Sequence, residues 1–180
     1  MNTFKLLMAT SCLLVMSANG IAQKDYSKSE GLLQYVDPTI GSGYHGHVFV
    51  GTSVPYGMVQ LGPSNIHKGW DWCSAYHHSD SIVIGFSHTH LSGTGCTDLG
   101  DILIMPLNEI RTPRGNQDDI RDGYASKYSH ANEVTRPEYY SLVLDRYNIK
   151  AELTATDRVG FHRYTYPEGK PASILIDLRE

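Results

Sequence analysis

The chain has 180 residues, 41% of them hydrophobic, and a formal net charge of −4. That length allows one ordinary domain at most, or a piece of a longer protein, and the apolar share is enough for a folded core. The near-balanced charge, with no cluster of lysines and arginines, argues against binding along a nucleic-acid backbone.

In chain order, residues 1–22 read as an export signal. Lys5 supplies the positive charge, and residues 6–18 form an apolar run too short to span a bilayer. Gly20 and Ala22 offer small groups for cleavage before Gln23. Cys12, after Ala9-Thr10-Ser11, is faintly like a lipid-attachment site, but Leu13-Leu14-Val15 carry the apolar run past it. No transmembrane segment is expected in the mature chain, which would be periplasmic, surface-held or secreted. Residues 23–33 are polar and read as a flexible lead-in to one domain over 34–180.

Within that domain, short apolar runs alternate with Gly, Pro, Asn and Asp, the punctuation of β structure. The pattern predicts strands over 57–61, 82–87, 102–107, 139–144, 149–156, 159–166 and 173–178. In 149–156, Ile149, Ala151, Leu153 and Ala155 alternate with Lys150, Glu152, Thr154 and Thr156, which buries one face and wets the other. The segment between Ile110 and Glu138 lacks apolar periodicity and reads as a surface excursion. No stretch holds a helical period for long, so the fold class is all-β, an antiparallel β-sandwich. Residues 174–178 look like an interior strand close to the last residue, which fits an incomplete, truncated sandwich.

Polar chemistry concentrates in two places. From His88 to Asp101, imidazoles, hydroxyls, glycines and carboxylates lie between two apolar runs, so rigid elements would hold a loop dense in hydrogen-bonding groups. Gly69-Trp70-Asp71-Trp72 holds both tryptophans, and indoles stack on the apolar faces of sugar rings while carboxylates and imidazoles take the hydroxyls. A tryptophan plugging the core is the competing reading.

His45-Gly46-His47 and His88-Thr89-His90 are His-x-His pairs. On a strand each pair would face one way and, with Asp98 or Asp101, could hold a transition metal. Hydrogen bonding to hydroxyls is the better reading, since each pair sits beside a glycine-rich loop. Cys73 and Cys96 remain after export and could pair, closing a loop worth about 3 kcal/mol, or stay as two buried thiols. Glycoside hydrolysis needs two facing carboxyl groups, and no spacing among Asp71, Asp98 and Asp101 establishes such a pair.

Longer blocks carry a resemblance. These are Tyr35-Val36-Asp37-Pro38-Thr39-Ile40-Gly41, His45-Gly46-His47, Val54-Pro55-Tyr56-Gly57-Met58-Val59-Gln60-Leu61 and Trp70-Asp71-Trp72-Cys73-Ser74. The run Ile84-Gly85-Phe86-Ser87-His88-Thr89-His90-Leu91-Ser92-Gly93-Thr94-Gly95, then Asp98-Leu99-Gly100-Asp101, is the most distinctive. Together they resemble the opening of glycoside hydrolase family 92, exo-acting α-mannosidases of bacteria. The resemblance implies an N-terminal β-sandwich packed on an (α/α)6-barrel, with the catalytic acid and base on the barrel and none in this chain. It also implies inversion at the anomeric carbon, a calcium ion with ligands outside this chain, and a mannose-containing glycan as substrate. Trp70, Asp71, Trp72, His88 and His90 are then expected near the sugar or the domain seam, and no metal ligand is assigned here. Two residues depart from the family pattern: Tyr44 stands where a small residue is usual, and Val50 where proline is. A stand-alone carbohydrate-binding sandwich is the second reading, and a transition-metal barrel built on the histidine pairs the third.

Overall fold

A computed structural model describes residues 30–178, apart from Thr94, Thr97, Asp98 and Gln117. The export signal, Cys12, the cleavage position and Asp98 therefore lie outside the described residues. The chain divides into two units, residues 1–34 and 35–180. Of the first, the described part is a short helix, α1 (Glu30–Leu33), beside which the Gln34 amide donates to the Gly31 carbonyl at 2.7 Å.

The second unit is all-β, with two antiparallel sheets. The first contains β1 (Gly62–Asn65), β2 (Ile82–Ser87), β3 (Leu103–Leu107) and β9 (Ser173–Asp177) in that order, with β4 (Ser126–Lys127) also paired to β2. The second runs β5 (Val134–Arg136), β6 (Tyr139–Leu144), β7 (Ile149–Ala155) and β8 (Gly160–Thr165). Phe86 on β2 meets Tyr140 on β6 and Tyr164 on β8, with ring centroids 6.5 and 6.3 Å apart, and so joins the sheets into a sandwich. β2 is buried along nearly its whole length, which is why its sequence is continuously apolar instead of alternating.

Tyrosines supply much of the core. Tyr76, Tyr124, Tyr140 and Tyr147 are among its largest fully buried side chains. A buried phenol needs a hydrogen-bond acceptor. Tyr124 donates to Asp177 at 2.7 Å, Tyr140 to Glu133 at 2.7 Å, and Tyr147 to the Tyr124 carbonyl at 2.8 Å. Burial, the first cause in each case, pushes all three phenols above their ordinary range and keeps them protonated donors.

The predicted strands at 82–87 and 139–144 coincide with β2 and β6, and those at 102–107, 149–156, 159–166 and 173–178 lie within a residue of β3, β7, β8 and β9. The strand predicted at 57–61 is corrected. Gly57, Met58 and Gln60 donate instead to Val54, Asp157 and His88, and Leu61 makes only an isolated bridge with Thr52. β1 starts where the prediction stopped, in Gly62-Pro63-Ser64-Asn65, residues that strands usually avoid. It pairs on one side only, with β2, where a proline is tolerated.

The surface excursion expected over 110–138 is also corrected. Tyr124, Ala125 and Tyr128 are buried in the core, and β4 and β5 lie in this segment, both too short to leave a pattern. On β7, Lys150 and Thr154 are exposed as the alternation requires, but Glu152 is buried beneath Tyr139, Lys150 and Arg163, which all donate to it. β9 is an edge strand whose Ile174 and Ile176, with Leu178 beyond, are 58%, 57% and 73% exposed on one face.

Candidate functional site

The tryptophan turn and two loops meet on one patch. The first loop curls on itself: the Val48 amide donates to the Gly41 carbonyl and the Gly46 amide to the Gly43 carbonyl, each at 3.1 Å. A Cβ on Gly46 would lie 2.0 Å from the Gly41 oxygen, so only glycine permits this closure. Trp70–Trp72 forms a single 3-10 turn after Gly69. The second loop leaves β2 at His88 and reaches β3, and it is cinched by Thr89, whose hydroxyl donates to Asp101 at 2.9 Å.

Asp71 is the centre of the patch. His45 donates through Nδ1 to its Oδ1 at 2.7 Å, and His47 donates through Nε2 to the same oxygen at 3.2 Å. These hydrogen bonds, His45 first, hold the Asp71 carboxyl below its usual range, so it is an anion at neutral pH. The Trp70 ring meets His47 edge-on at 4.3 Å and lies 5.6 Å from His45. From the second loop, the Gly93 amide donates to the His47 carbonyl at 2.7 Å. Gly95 packs on the indole so closely that a Cβ there would stand 2.2 Å from Trp70 Nε1. Trp70 nevertheless remains 57% exposed, and the His45 side chain 75%. An open indole face, an imidazole edge and a carboxylate are thus held together by two loops that fold on each other.

Of the five site residues expected from sequence, Trp70 and Asp71 lie together here, and the other three do not join them. Trp72 is half-buried: its indole N–H donates to Asp80 at 2.9 Å, and its ring stacks on His77 at 4.4 Å. Asp80, itself buried, also pairs with Lys68 at 2.8 Å. His88 turns toward the second sheet, where its Nε2 lies 3.1 Å from Nε2 of His162. The Ile102 carbonyl can only accept, so His88 Nδ1 carries a proton, and its Nε2 accepts from His162, which accepts in turn from the Tyr164 hydroxyl at 2.6 Å. Burial first, then His88, lowers the His162 pKa to about 4. His90 is buried, donates through Nδ1 to the Gln60 carbonyl at 2.7 Å and stacks on Phe49; its Nε2 has no partner among the described residues.

The two histidine pairs therefore differ from the strand-based expectation. Neither lies on a strand. His45 and His47 converge on one carboxylate oxygen through different ring nitrogens, while His88 and His90 point to separate partners. Among the described residues, no group of three or more His, Cys, Asp or Glu is placed to hold a metal ion. Of the two cysteines, Cys73 is buried and Cys96 exposed, so the two-buried-thiols alternative fails for Cys96. Burial first, with Cys96 among the lesser contributors, pushes the Cys73 thiol up. The roles of His45 and His162 were missed because each depends on a partner more than twenty residues away in sequence, Asp71 and His88.

Comparison with known proteins gives this patch a setting. Residues 35–180 match the glycosyl hydrolase family 92 N-terminal domain. A curated protein of Arthroderma benhamiae named an uncharacterized secreted glycosidase is 30% identical over 160 residues, covering 83% of this chain and 20% of its own length. Among solved structures, the family GH92 α-mannosidase BT3965 of Bacteroides thetaiotaomicron, in complex with mannoimidazole, is 41% identical with a TM-score of 0.78, over 82% of this chain and 20% of that one. The inverting mannosidase BT2199 of the same organism is 25% identical with a TM-score of 0.62, over 81% of this chain and 19% of that one. The chain thus spans about one-fifth of the length of the relatives it matches. The family match over nearly the whole sandwich and the likeness in fold agree: the chain belongs to glycoside hydrolase family 92, as its N-terminal domain.

Proposed function

We propose that this chain is the glycan-binding part of an exported, calcium-dependent, inverting exo-α-mannosidase whose catalytic acid, base and calcium ligands lie on an (α/α)6-barrel outside it. The observation that carries the proposal is the exposed Trp70 indole locked beside His45 and Asp71. Support comes from the family and from relatives named as α-mannosidases, one of them bound to mannoimidazole. An indole face matches the apolar face of a pyranose, and His45 and Asp71 are placed to take its hydroxyls. Trp70, His45 and Asp71 would touch the sugar. Trp72, His88 and His90 would hold the loops that present them. Export rests on the signal pattern of residues 1–22 and on a relative named as secreted.

The reading is tested in the full-length enzyme with an α-linked mannobiose. Mannose is expected to appear first as the β-anomer, as inversion requires, and release should stop on chelation and return with calcium. Trp70→Ala is expected to lower kcat/KM about tenfold, the loss of roughly 1.4 kcal/mol of stacking. Residues 23–180 alone should release nothing; measurable hydrolysis by that segment would overturn the division of labour.

A further inference from the structure

Tyr44 is built at a cost that no contact among the described residues recovers. Its backbone has φ 51°, the left-handed region that glycine enters without penalty and tyrosine does not. That conformation is clamped. His77 accepts from the Ser79 amide at Nδ1, so its Nε2–H donates to the Tyr44 carbonyl at 3.1 Å, and the neighbouring Gly46 amide closes onto Gly43. Among the described residues the ring gains nothing from this. It is 90% exposed, and no described residue hydrogen-bonds to it or stacks on it. The next residue, His45, is the imidazole locked to Asp71 beside Trp70. Strain kept at an exposed position next to a binding patch points to use by a ligand.

We propose that Tyr44 is a specificity-determining residue, a stacking platform for the sugar that follows the terminal mannose on the leaving-group side. The inference rests on the proposed glycan-binding role of the Trp70 patch and extends it outward. Trp70 is held against the Gly95 loop and the ring of His47, whereas Tyr44, one residue before His45, is 90% exposed and open to a further sugar of a glycan seated on the patch. Stacking on a rigid aromatic needs no particular hydroxyl pattern, so Tyr44 would favour longer glycans over simple glycosides without reading a linkage.

The test compares methyl α-mannoside with methyl α-mannobioside in the full-length enzyme. Tyr44→Gly is expected to lower the preference for the disaccharide, the ratio of the two kcat/KM values, about tenfold, mainly through KM on the disaccharide. Tyr44→Phe should keep the ratio. Glycine suits the left-handed backbone, so Tyr44→Gly should melt no lower than the parent, which separates lost stacking from lost structure. A ratio within twofold of the parent for Tyr44→Gly overturns the inference. Trp70→Ala is run alongside: if it alters neither substrate, the patch itself is misassigned, whereas a normal Trp70→Ala loss with an unmoved Tyr44→Gly ratio removes only the role given to Tyr44.

Discussion

Thr52 sits fully buried opposite Leu61, and its hydroxyl has no partner among the described residues. A buried hydroxyl without a hydrogen bond costs roughly 1–3 kcal/mol, and valine has nearly the same shape without that cost. Thr52→Val is therefore expected to raise stability by about 1 kcal/mol, read as a higher denaturant midpoint at unchanged slope. A lower midpoint would mean that the hydroxyl is satisfied after all. At this scale the sequence was least legible. Histidines of the two His-x-His pairs end in different environments: an exposed carboxylate contact for His45, a cross-sheet hydrogen bond for His88 and burial for His90. Nothing local distinguishes them, because each environment is set by a distant partner: Asp71, His162 and Gln60.

Elements were read far better where apolar, β-branched runs are bounded by polar turns, as in β2 and β6. β1 escaped because edge pairing with β2 overrides the poor strand tendency of glycine, proline, serine and asparagine. β4 and β5 escaped because two or three residues make no period. β2 also carries a constraint that its hydrophobicity hides. Gly85 has φ 146°, and a Cβ there would stand 2.8 Å from the Ile104 carbonyl oxygen on β3 and 3.0 Å from Leu103. Gly85→Ala is expected to cost more than about 1 kcal/mol and to lower Tm by several degrees in calorimetry. A change under one degree would show that β3 can give way.

For the whole molecule, folding buries imidazoles that must stay neutral. Burial lowers the pKa of His90 to about 4, with the His90-to-Gln60 hydrogen bond opposing it, and burial and His88 lower that of His162 to about 4. In the unfolded chain both return to about 6.5. The unfolded state therefore binds more protons between those values, and stability falls as pH drops from about 6.5 to about 4. Glu152, held at about 2 chiefly by its hydrogen bond from Arg163, and Asp119, held at about 2 chiefly by Arg121, withdraw their contribution only below about 4.5. Denaturant midpoints at pH 7, 5.5 and 4.5 should decline in order; a flat profile from 7 to 5.5 would show that neither histidine is held neutral. At this scale the long ordered blocks made the family legible, because they extend over most of the domain and do not depend on any one contact.

The aliphatic row on β9 bears on how this domain is made. Natural edge strands are blunted with charges, proline or a bulge; the one charge on β9, Asp177, points inward to Tyr124 and Arg114, and Ser173-Ile174-Leu175-Ile176 has neither charge nor proline. Paired with β3 alone among the described strands, and with Ile174, Ile176 and Leu178 turned to water, β9 is a template for an extended chain that reaches it. Until that row is covered, the same strand of a neighbouring chain can pair with it, so aggregation is expected to rise with chain concentration.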